Sequence, residues 1–190
     1  MLLKDKVVIV SGIGPGLGTE LALEAARQGA KLAIAGRTLK KLDAAASAVA
    51  DLGLVSELIR VQTDITDPVH CQQLVEQTIK TYGRIDCLIN SAFNPGGADL
   101  LEQANLAAWR SAMEVNLFGT MNLTLAALPQ MKAQRAGSIV NVNTMVTRKP
   151  MPTQAGYAAS KAALAAATQH LALELGQHGI RVNSTYMGWM

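Results

Sequence analysis

Two kinds of hydrophobic pattern alternate along the chain. Short runs of β-branched and apolar residues are separated by longer stretches, rich in alanine and leucine, whose apolar positions recur with the period of a helix. The short runs predict strands over residues 7–10, 31–35, 57–63, 85–90, 138–143 and 181–185. The longer stretches predict helices over residues 16–28, 39–51, 68–82, 106–132 and 157–177. This alternation is typical of βαβ units and predicts an α/β fold with a buried parallel sheet.

The predicted connections also indicate how the sheet is covered. Right-handed crossovers would wind the helices onto both of its faces, which gives a doubly wound sheet. Sheets of this kind bind ligands at the carboxyl ends of their strands. A chain of 190 residues is long enough to bury one hydrophobic core and too short to need two, so we expect residues 1–190 to form a single domain.

Composition and charge argue against several classes of protein. The chain is 49% hydrophobic, yet it has no apolar run of the roughly 18 to 20 residues that a membrane span needs, and no secretory signal is visible. We therefore expect no membrane partner and a cytoplasmic location. The net charge is only +3, the basic residues are scattered and aromatic residues make up 4%, which argues against a nucleic-acid partner. Cys71 and Cys87 fit neither a disulfide framework nor a metal site, so we expect reduced thiols and no metal.

A glycine-rich turn lies between the first predicted strand and the first predicted helix. It contains Gly12, Gly14, Gly16, Leu17 and Gly18. Backbone N–H groups and the positive end of the helix would converge there on a pyrophosphate. The strand–turn–helix context is the one that a dinucleotide site requires, so we expect a Rossmann-type dinucleotide-binding domain. The alternative is a glycine-rich turn that is needed only for close packing.

The end of the second predicted strand bears on the choice of cofactor. An acid there would hold a ribose 2′-hydroxyl, whereas a basic residue would accept a 2′-phosphate. The sequence has Ala35, Gly36 and Arg37, and this favours NADP over NAD. Pro15 is the opposing signal, since many turns that prefer a 2′-phosphate carry a basic residue at that point. Arg37 as a solvated surface residue remains the alternative.

Asp64 and Ile65 follow the third predicted strand and are further candidates for binding the cofactor. The carboxylate of Asp64 could accept a hydrogen bond from an adenine amino group. The alternative is a helix-capping role that Asp64 shares with Asp67, ahead of Pro68.

The candidate catalytic residues lie on both sides of the fifth predicted strand. Tyr157 and Lys161 are four residues apart in a predicted helix and so share one of its faces. A nearby ammonium would lower the pKa of the phenol and allow proton exchange with an alcohol. Thr144 ends the strand, where its hydroxyl could bond a substrate oxygen. Asn116 lies in an apolar helical segment and needs a hydrogen-bond partner.

These motifs together resemble the short-chain dehydrogenase/reductase family in its compact form. The Gly-x-x-x-Gly-x-Gly turn of that family is matched by Gly12, Gly16 and Gly18, and the resemblance covers essentially the whole chain. Further matches are Asp64, Asn90, Ser91, Ala92, Asn116, residues 138–141, residues 157–161 and residues 180–183.

The resemblance implies roles for individual residues. It makes Tyr157 the acid/base and gives Lys161 two tasks, lowering the pKa of the tyrosine and bonding the nicotinamide ribose. Asn116 would support a water-linked proton relay. Thr144 replaces the usual serine, and Asn90, Ser91 and Ala92 join the cofactor site.

Three features depart from the family pattern. Phe93 stands where glycine is usual, and its ring would crowd the cofactor ribose or line the substrate cleft. Met187, Gly188 and Trp189 replace the usual Pro-Gly pair. The chain stops at Met190, where the family continues through a substrate loop and a seventh strand, so we expect these to be absent from this sequence. Either the sequence is truncated, which we favour, or the protein lacks a normal lid.

The function that the resemblance implies is hydride transfer between NAD(P)(H) and a small-molecule carbonyl or alcohol, by a carbonyl reductase or alcohol dehydrogenase. It also implies a homo-oligomer, a dimer or tetramer. The alternative is a catalytically silent nucleotide-binding protein, regulatory or scaffolding, on the same fold.

Overall fold

A parallel sheet forms the centre of the protein, and the computed structural model describes residues 1–54 and 57–188. The strands are β1 (Val7–Ser11), β2 (Lys31–Gly36), β3 (Leu58–Gln62), β4 (Cys87–Asn90), β5 (Gly137–Thr144) and β6 (Ile180–Met187). Their order across the sheet is β3-β2-β1-β4-β5-β6, with every neighbouring pair parallel. The order reverses between β1 and β4. This reversal is the point at which doubly wound sheets bind their ligands.

Helices connect the strands and cover the sheet. They are α1 (Leu17–Arg27), α2 (Leu39–Ala50), α3 (Pro68–Tyr82), α4 (Leu106–Met113), α5 (Thr120–Gln134) and α6 (Ala155–Leu175). Short 3-10 turns occupy Leu101–Gln103, Met145–Thr147 and Gly176–His178. Across residues 1–54 and 57–188, no helix combines the length and apolarity that crossing a bilayer requires.

The core consists of two apolar layers, one on each face of the sheet. β1 is buried along its whole length, and its alternate side chains enter opposite layers. Val8 packs in the layer that contains Ala22 of α1 and Leu42 of α2. Ile9 packs in the layer that contains Leu74 of α3, together with residues of α5. The predicted doubly wound, Rossmann-type α/β fold is thus confirmed.

One predicted helix is divided in the structure. The segment predicted as a single helix, residues 106–132, consists of α4, a π-helical segment (Glu114–Gly119) and α5. The wider π turn changes the angular phase of the side chains, so the period of α4 does not continue into α5. Asn116 lies within the π segment, and its side chain makes hydrogen bonds with Asn94 and Ser160, which belong to other segments.

Other element ends differ from prediction by a few residues. Thr144 is the last residue of β5, and Tyr157 lies in the first turn of α6, so both come close to the carboxyl end of the sheet.

Candidate active site

A cleft of about 560 Å³ lies across the carboxyl ends of the strands. This volume falls within the range of small-molecule sites, on the order of 300 to 1,000 Å³. Most of the residues predicted for the site line it: Gly12, Gly14, Leu17, Gly18, Arg37, Asp64, Ile65, Ser91, Ala92, Thr144, Tyr157 and Lys161. Residues spread over the whole chain therefore meet at one place.

The glycine turn forms one end of this cleft. Gly12 has φ +88, and a Cβ there would overlap the backbone nitrogen of Ala92. A Cβ on Gly18 would overlap the carbonyl oxygen of Gly12. Gly14 differs, because nothing lies within 4 Å of the place where its Cβ would be. Two glycines thus permit close packing of the turn, whereas Gly14 leaves the cleft open.

The residues present at this end fit a dinucleotide pyrophosphate. Gly16 begins α1 with φ 102 and no side-chain cap, so the first N–H groups of the helix are not bonded by a capping side chain. The cleft beside Gly14 is free of side chains, which permits the close approach of a phosphate. Gly16 is not among the residues that line the cleft, and its contribution is the positive φ that the turn requires.

Positive charge collects where β2 ends. Gln62 Nε2 donates to the carbonyl oxygen of Arg37 at 2.9 Å and holds that backbone in place. Thr38 is the N-cap of α2, and Lys41 lies in the first turn of that helix. Arg37, Thr38 and Lys41 all line the cleft. In the part of the chain that the structure describes, neither Arg37 nor Lys41 is paired with a carboxylate. Lys41 was not predicted for the site, although a basic residue in the first turn of the helix after β2 was an available signal.

Asp64 is held as an ionised acceptor at the rim of the cleft. It accepts hydrogen bonds from Thr66 N at 3.0 Å and Thr66 Oγ1 at 2.8 Å. Burial alone would raise the pKa of Asp64, but these bonds and the charge of Arg37 outweigh it and hold the pKa below its usual value. The capping role belongs to Asp67, whose carboxylate accepts from Val69 N. The alternative of a cap shared with Asp64 is therefore not what the structure shows.

Tyr157 and Lys161 stand at the other end of the cleft. Lys161 is only 2% exposed, and its Nζ donates to the carbonyl oxygen of Val142 at 2.8 Å. Burial lowers the pKa of Lys161 to about 8. Burial raises the pKa of Tyr157, and a hydrogen bond with the Thr144 side chain partly opposes this. The sequence predicted a lowered pKa for Tyr157, and the structure raises it, because desolvation of the phenolate is the largest effect.

Thr144 is fixed beside these two residues by Asn143. Asn143 Oδ1 accepts from Thr144 N at 2.8 Å, and its Nδ2 donates to the carbonyl oxygen of Lys161 at 3.0 Å. A buried amide therefore ties the end of β5 to the helix turn of the lysine. Asn143 was not predicted for the site, since its only signal in the sequence was a polar side chain in a predicted buried strand.

Besides Gly16, two predicted site residues do not line the cleft, Asn90 and Asn116. The Nδ2 of Asn90 donates to Asn141 Oδ1 at 2.9 Å and to Thr124 Oγ1 at 3.3 Å, inside the core. Asn116 is fully buried and bonds Asn94 and Ser160. The Asn116 side chain therefore has the hydrogen-bond partners that the apolar segment around it led us to expect. Both side chains lie beneath the residues that line the cleft and hold neighbouring segments in place through hydrogen bonds.

The residues that depart from the family pattern also border the cleft. Phe93 lines it, and its ring meets that of Tyr157 with centroids 6.3 Å apart. Met187 and Gly188 line it from the end of β6. Trp189 lies outside the described residues.

The buried lysine gives a prediction about stability and pH. An unfolded lysine titrates near 10.4, so between about pH 8 and pH 10.4 the unfolded chain binds more protons than the folded one. Lys161 therefore costs stability below pH 8, and this cost disappears as the pH rises through the window. We expect the stability of wild type minus that of Lys161→Met to increase by about 3 kcal/mol between pH 8 and pH 10.5.

Urea unfolding of both proteins at several pH values measures this difference. Lys132→Met removes an exposed positive charge and serves as the control. If the free energies of unfolding of wild type and Lys161→Met depend on pH in the same way, burial does not lower the pKa of Lys161.

Comparisons with known proteins agree with this geometry. Residues 6–190 match the family model described as short chain dehydrogenase. The chain is 34% identical over 189 residues to an uncharacterized oxidoreductase of Staphylococcus saprophyticus, covering 98% of this chain and 79% of that protein. It is also 34% identical over 190 residues to the 3-oxoacyl-(acyl-carrier-protein) reductase of Thermotoga maritima, covering 100% and 76%. The chain belongs to the short-chain dehydrogenase/reductase family of oxidoreductases.

Solved structures resemble it closely. Levodione reductase superposes with a TM-score of 0.94 at 30% identity, covering 98% of this chain and 72% of that one. NAD+-bound xylitol dehydrogenase superposes with a TM-score of 0.95 at 29% identity, covering 100% and 72%.

Proposed function

We propose that this protein transfers a hydride between NAD(P)(H) and a small-molecule carbonyl or alcohol, as a carbonyl reductase or alcohol dehydrogenase. One observation carries the proposal: Tyr157, Lys161 and Thr144 line the same cleft as the glycine turn. A site that only bound a nucleotide would not need a phenol, a buried ammonium and a hydroxyl together at its far end. Binding titrations with NADH and NADPH, followed by a panel of carbonyl compounds with the better cofactor, test it.

Each residue has a role in this proposal. The bound nicotinamide cofactor supplies or accepts the hydride. Tyr157, whose raised pKa keeps it protonated at neutral pH, gives its proton to the substrate oxygen during reduction. The Thr144 hydroxyl bonds that same oxygen and holds it beside the phenol.

Lys161 has donors left for a second task. One N–H bonds Val142 O, and an ammonium has three. The others are available to the cofactor ribose, and the positive charge would stabilise the phenolate that alcohol oxidation requires. In this proposal Asn116 is a positioning residue, since its amide is already occupied by Asn94 and Ser160.

We further propose NADP as the preferred cofactor, with NAD as the alternative. Arg37 and Lys41 are basic side chains that line the cleft and form no salt bridge with any described carboxylate, and this supports a 2′-phosphate there. Xylitol dehydrogenase, with a similar fold, is a protein that holds NAD+. The basic residues of this chain, rather than its fold, are therefore the basis of the preference.

Removing these charges tests the cofactor preference. We expect Arg37→Ala to raise the KM for NADPH about tenfold or more, because a charge-assisted bond to phosphate is lost, and to change that for NADH less than twofold. Lys41→Ala should act in the same direction with a smaller effect. Lys40→Ala is the matched control, since Lys40 is exposed and is not among the described residues that line the cleft. Stronger binding of NADH than NADPH by the wild type would contradict the preference.

Other features extend the proposal. A single dinucleotide-binding domain over residues 1–190 would contain the whole catalytic site. The homo-oligomer, a dimer or tetramer, stays a prediction from the family resemblance. The cytoplasmic location stays a prediction.

A further inference from the structure

Phe93 is an aromatic residue that remains exposed inside the cleft. It follows β4, lines the cleft and keeps 61% of its surface accessible. Its ring meets that of Tyr157 edge to face, with an interplanar angle of 62°. The preceding residue, Ala92, packs against Gly12 of the glycine turn. The ring therefore contacts the residue that handles the substrate oxygen, whereas its neighbour contacts the pyrophosphate end.

The backbone that carries this ring is held by Asn116. Asn116 Oδ1 accepts from Asn94 N at 2.7 Å, and its Nδ2 donates to Asn94 O at 2.8 Å. The same Nδ2 donates at 2.8 Å to Ser160 Oγ, which donates at 2.7 Å to the carbonyl oxygen of Tyr157. One buried amide thus connects the residue after Phe93 with the helix turn of the phenol.

The side chain of Asn94 fastens the loop a second time. Its Nδ2 donates to Ser111 Oγ at 2.9 Å, and its Oδ1 accepts from Gly96 N at 2.9 Å. Gly96 itself packs closely, since a Cβ there would lie 2.8 Å from that of Ala112. Because the backbone of this loop is already held in place, binding of a ligand against the Phe93 ring costs little additional conformational entropy of the loop.

We infer that Phe93 determines substrate specificity by forming an aromatic wall beside Tyr157, and that the preferred substrates are carbonyl compounds with a planar aryl substituent. This inference rests on the proposed carbonyl chemistry of the same site. A substrate whose oxygen bonds Tyr157 and Thr144 must place its substituents beside those residues, where the exposed ring stands. Aromatic pairs gain about 2- to 10-fold in affinity beyond the burial of area, so a flat ring is favoured over a saturated one.

A matched pair of ketones tests the inference. Acetophenone and cyclohexyl methyl ketone share a carbon skeleton and differ in the planarity of the ring. Conjugation makes the carbonyl of acetophenone intrinsically less reactive, so the test compares the ratio of kcat/KM values for acetophenone and cyclohexyl methyl ketone between the two proteins, and we expect Phe93→Leu to reduce this ratio about 3- to 10-fold. The KM for the cofactor should change less than twofold. Phe118→Leu is the control, because Phe118 is also about half exposed, at 51%, but is not among the described residues that line the cleft.

An unchanged ratio in Phe93→Leu would overturn the inference. So would an effect confined to the KM for the cofactor, which would place the ring against the nucleotide. If wild type reduces neither these ketones nor any other compound of the carbonyl panel, the proposed function fails, and calorimetric titration of both ketones into cofactor-loaded wild type and Phe93→Leu then decides the inference alone. Tighter binding of acetophenone that is lost in the leucine variant supports the aromatic wall, and equal binding of the two ketones overturns it.

Discussion

Tyr157→Phe should lower carbonyl turnover by roughly 10² to 10⁴-fold, the usual contribution of a general acid or base. The substitution removes one hydroxyl and keeps the ring, so the edge contact with Phe93 and the shape of the cleft are retained. The dissociation constant for the cofactor should change less than twofold, because the glycine turn and Arg37 lie elsewhere in the cleft. Steady-state kinetics with the better nicotinamide cofactor, together with a binding titration, measure the two effects separately.

Tyr186→Phe is the matched control for Tyr157→Phe. It likewise removes one phenolic hydroxyl, from a ring that lies against the Arg148 guanidinium, whose carbon is 4.2 Å from the ring centroid. We expect this variant to keep turnover within twofold of wild type. Undiminished turnover in Tyr157→Phe would falsify the assigned mechanism. Cofactor binding without reduction of any carbonyl by the wild type would instead favour the silent nucleotide-binding alternative.

Gly12→Ala should destabilise the fold by about 3 kcal/mol or more, because two penalties act at one position. The backbone of Gly12 has φ +88, a conformation that alanine rarely adopts. The new Cβ would also overlap the backbone of Ala92, and backbone atoms cannot rotate away as a flexible side chain could. Urea or thermal unfolding measures the loss.

Gly14→Ala provides the comparison within the same turn. Its Cβ would meet nothing within 4 Å, and its φ is not in the positive range, so we expect a change below about 1 kcal/mol. The same variant should weaken cofactor binding, because the methyl group would enter the cleft that the turn borders. Equal stability of the two variants would show that the close approach of the turn to Ala92 does not constrain residue 12.

Local patterns in the sequence were sufficient for the architecture. Hydrophobic periodicity depends on neighbours a few residues away, and it located the strands and nearly all of the helices. The glycine turn was equally recognisable, because backbone conformation is a property of the residues in the turn itself. Tyr157 and Lys161 could be paired from their positions in the chain, since a spacing of four in a helix places two side chains together.

The tertiary structure decided what surrounds these residues. The bonds that join Asn94, Asn116 and Ser160 cross three separate segments, and no local pattern specifies which polar groups will meet. The pKa of Tyr157 rises because packing excludes water from it, an effect that the spacing of Tyr157 and Lys161 cannot reveal. The hydrophobic periodicity of the sequence thus determined which helices and strands form, because each element depends on residues that are close together in the chain. Burial and contacts between distant segments determined the chemistry of the site, because both arise only when the sheet and helices pack.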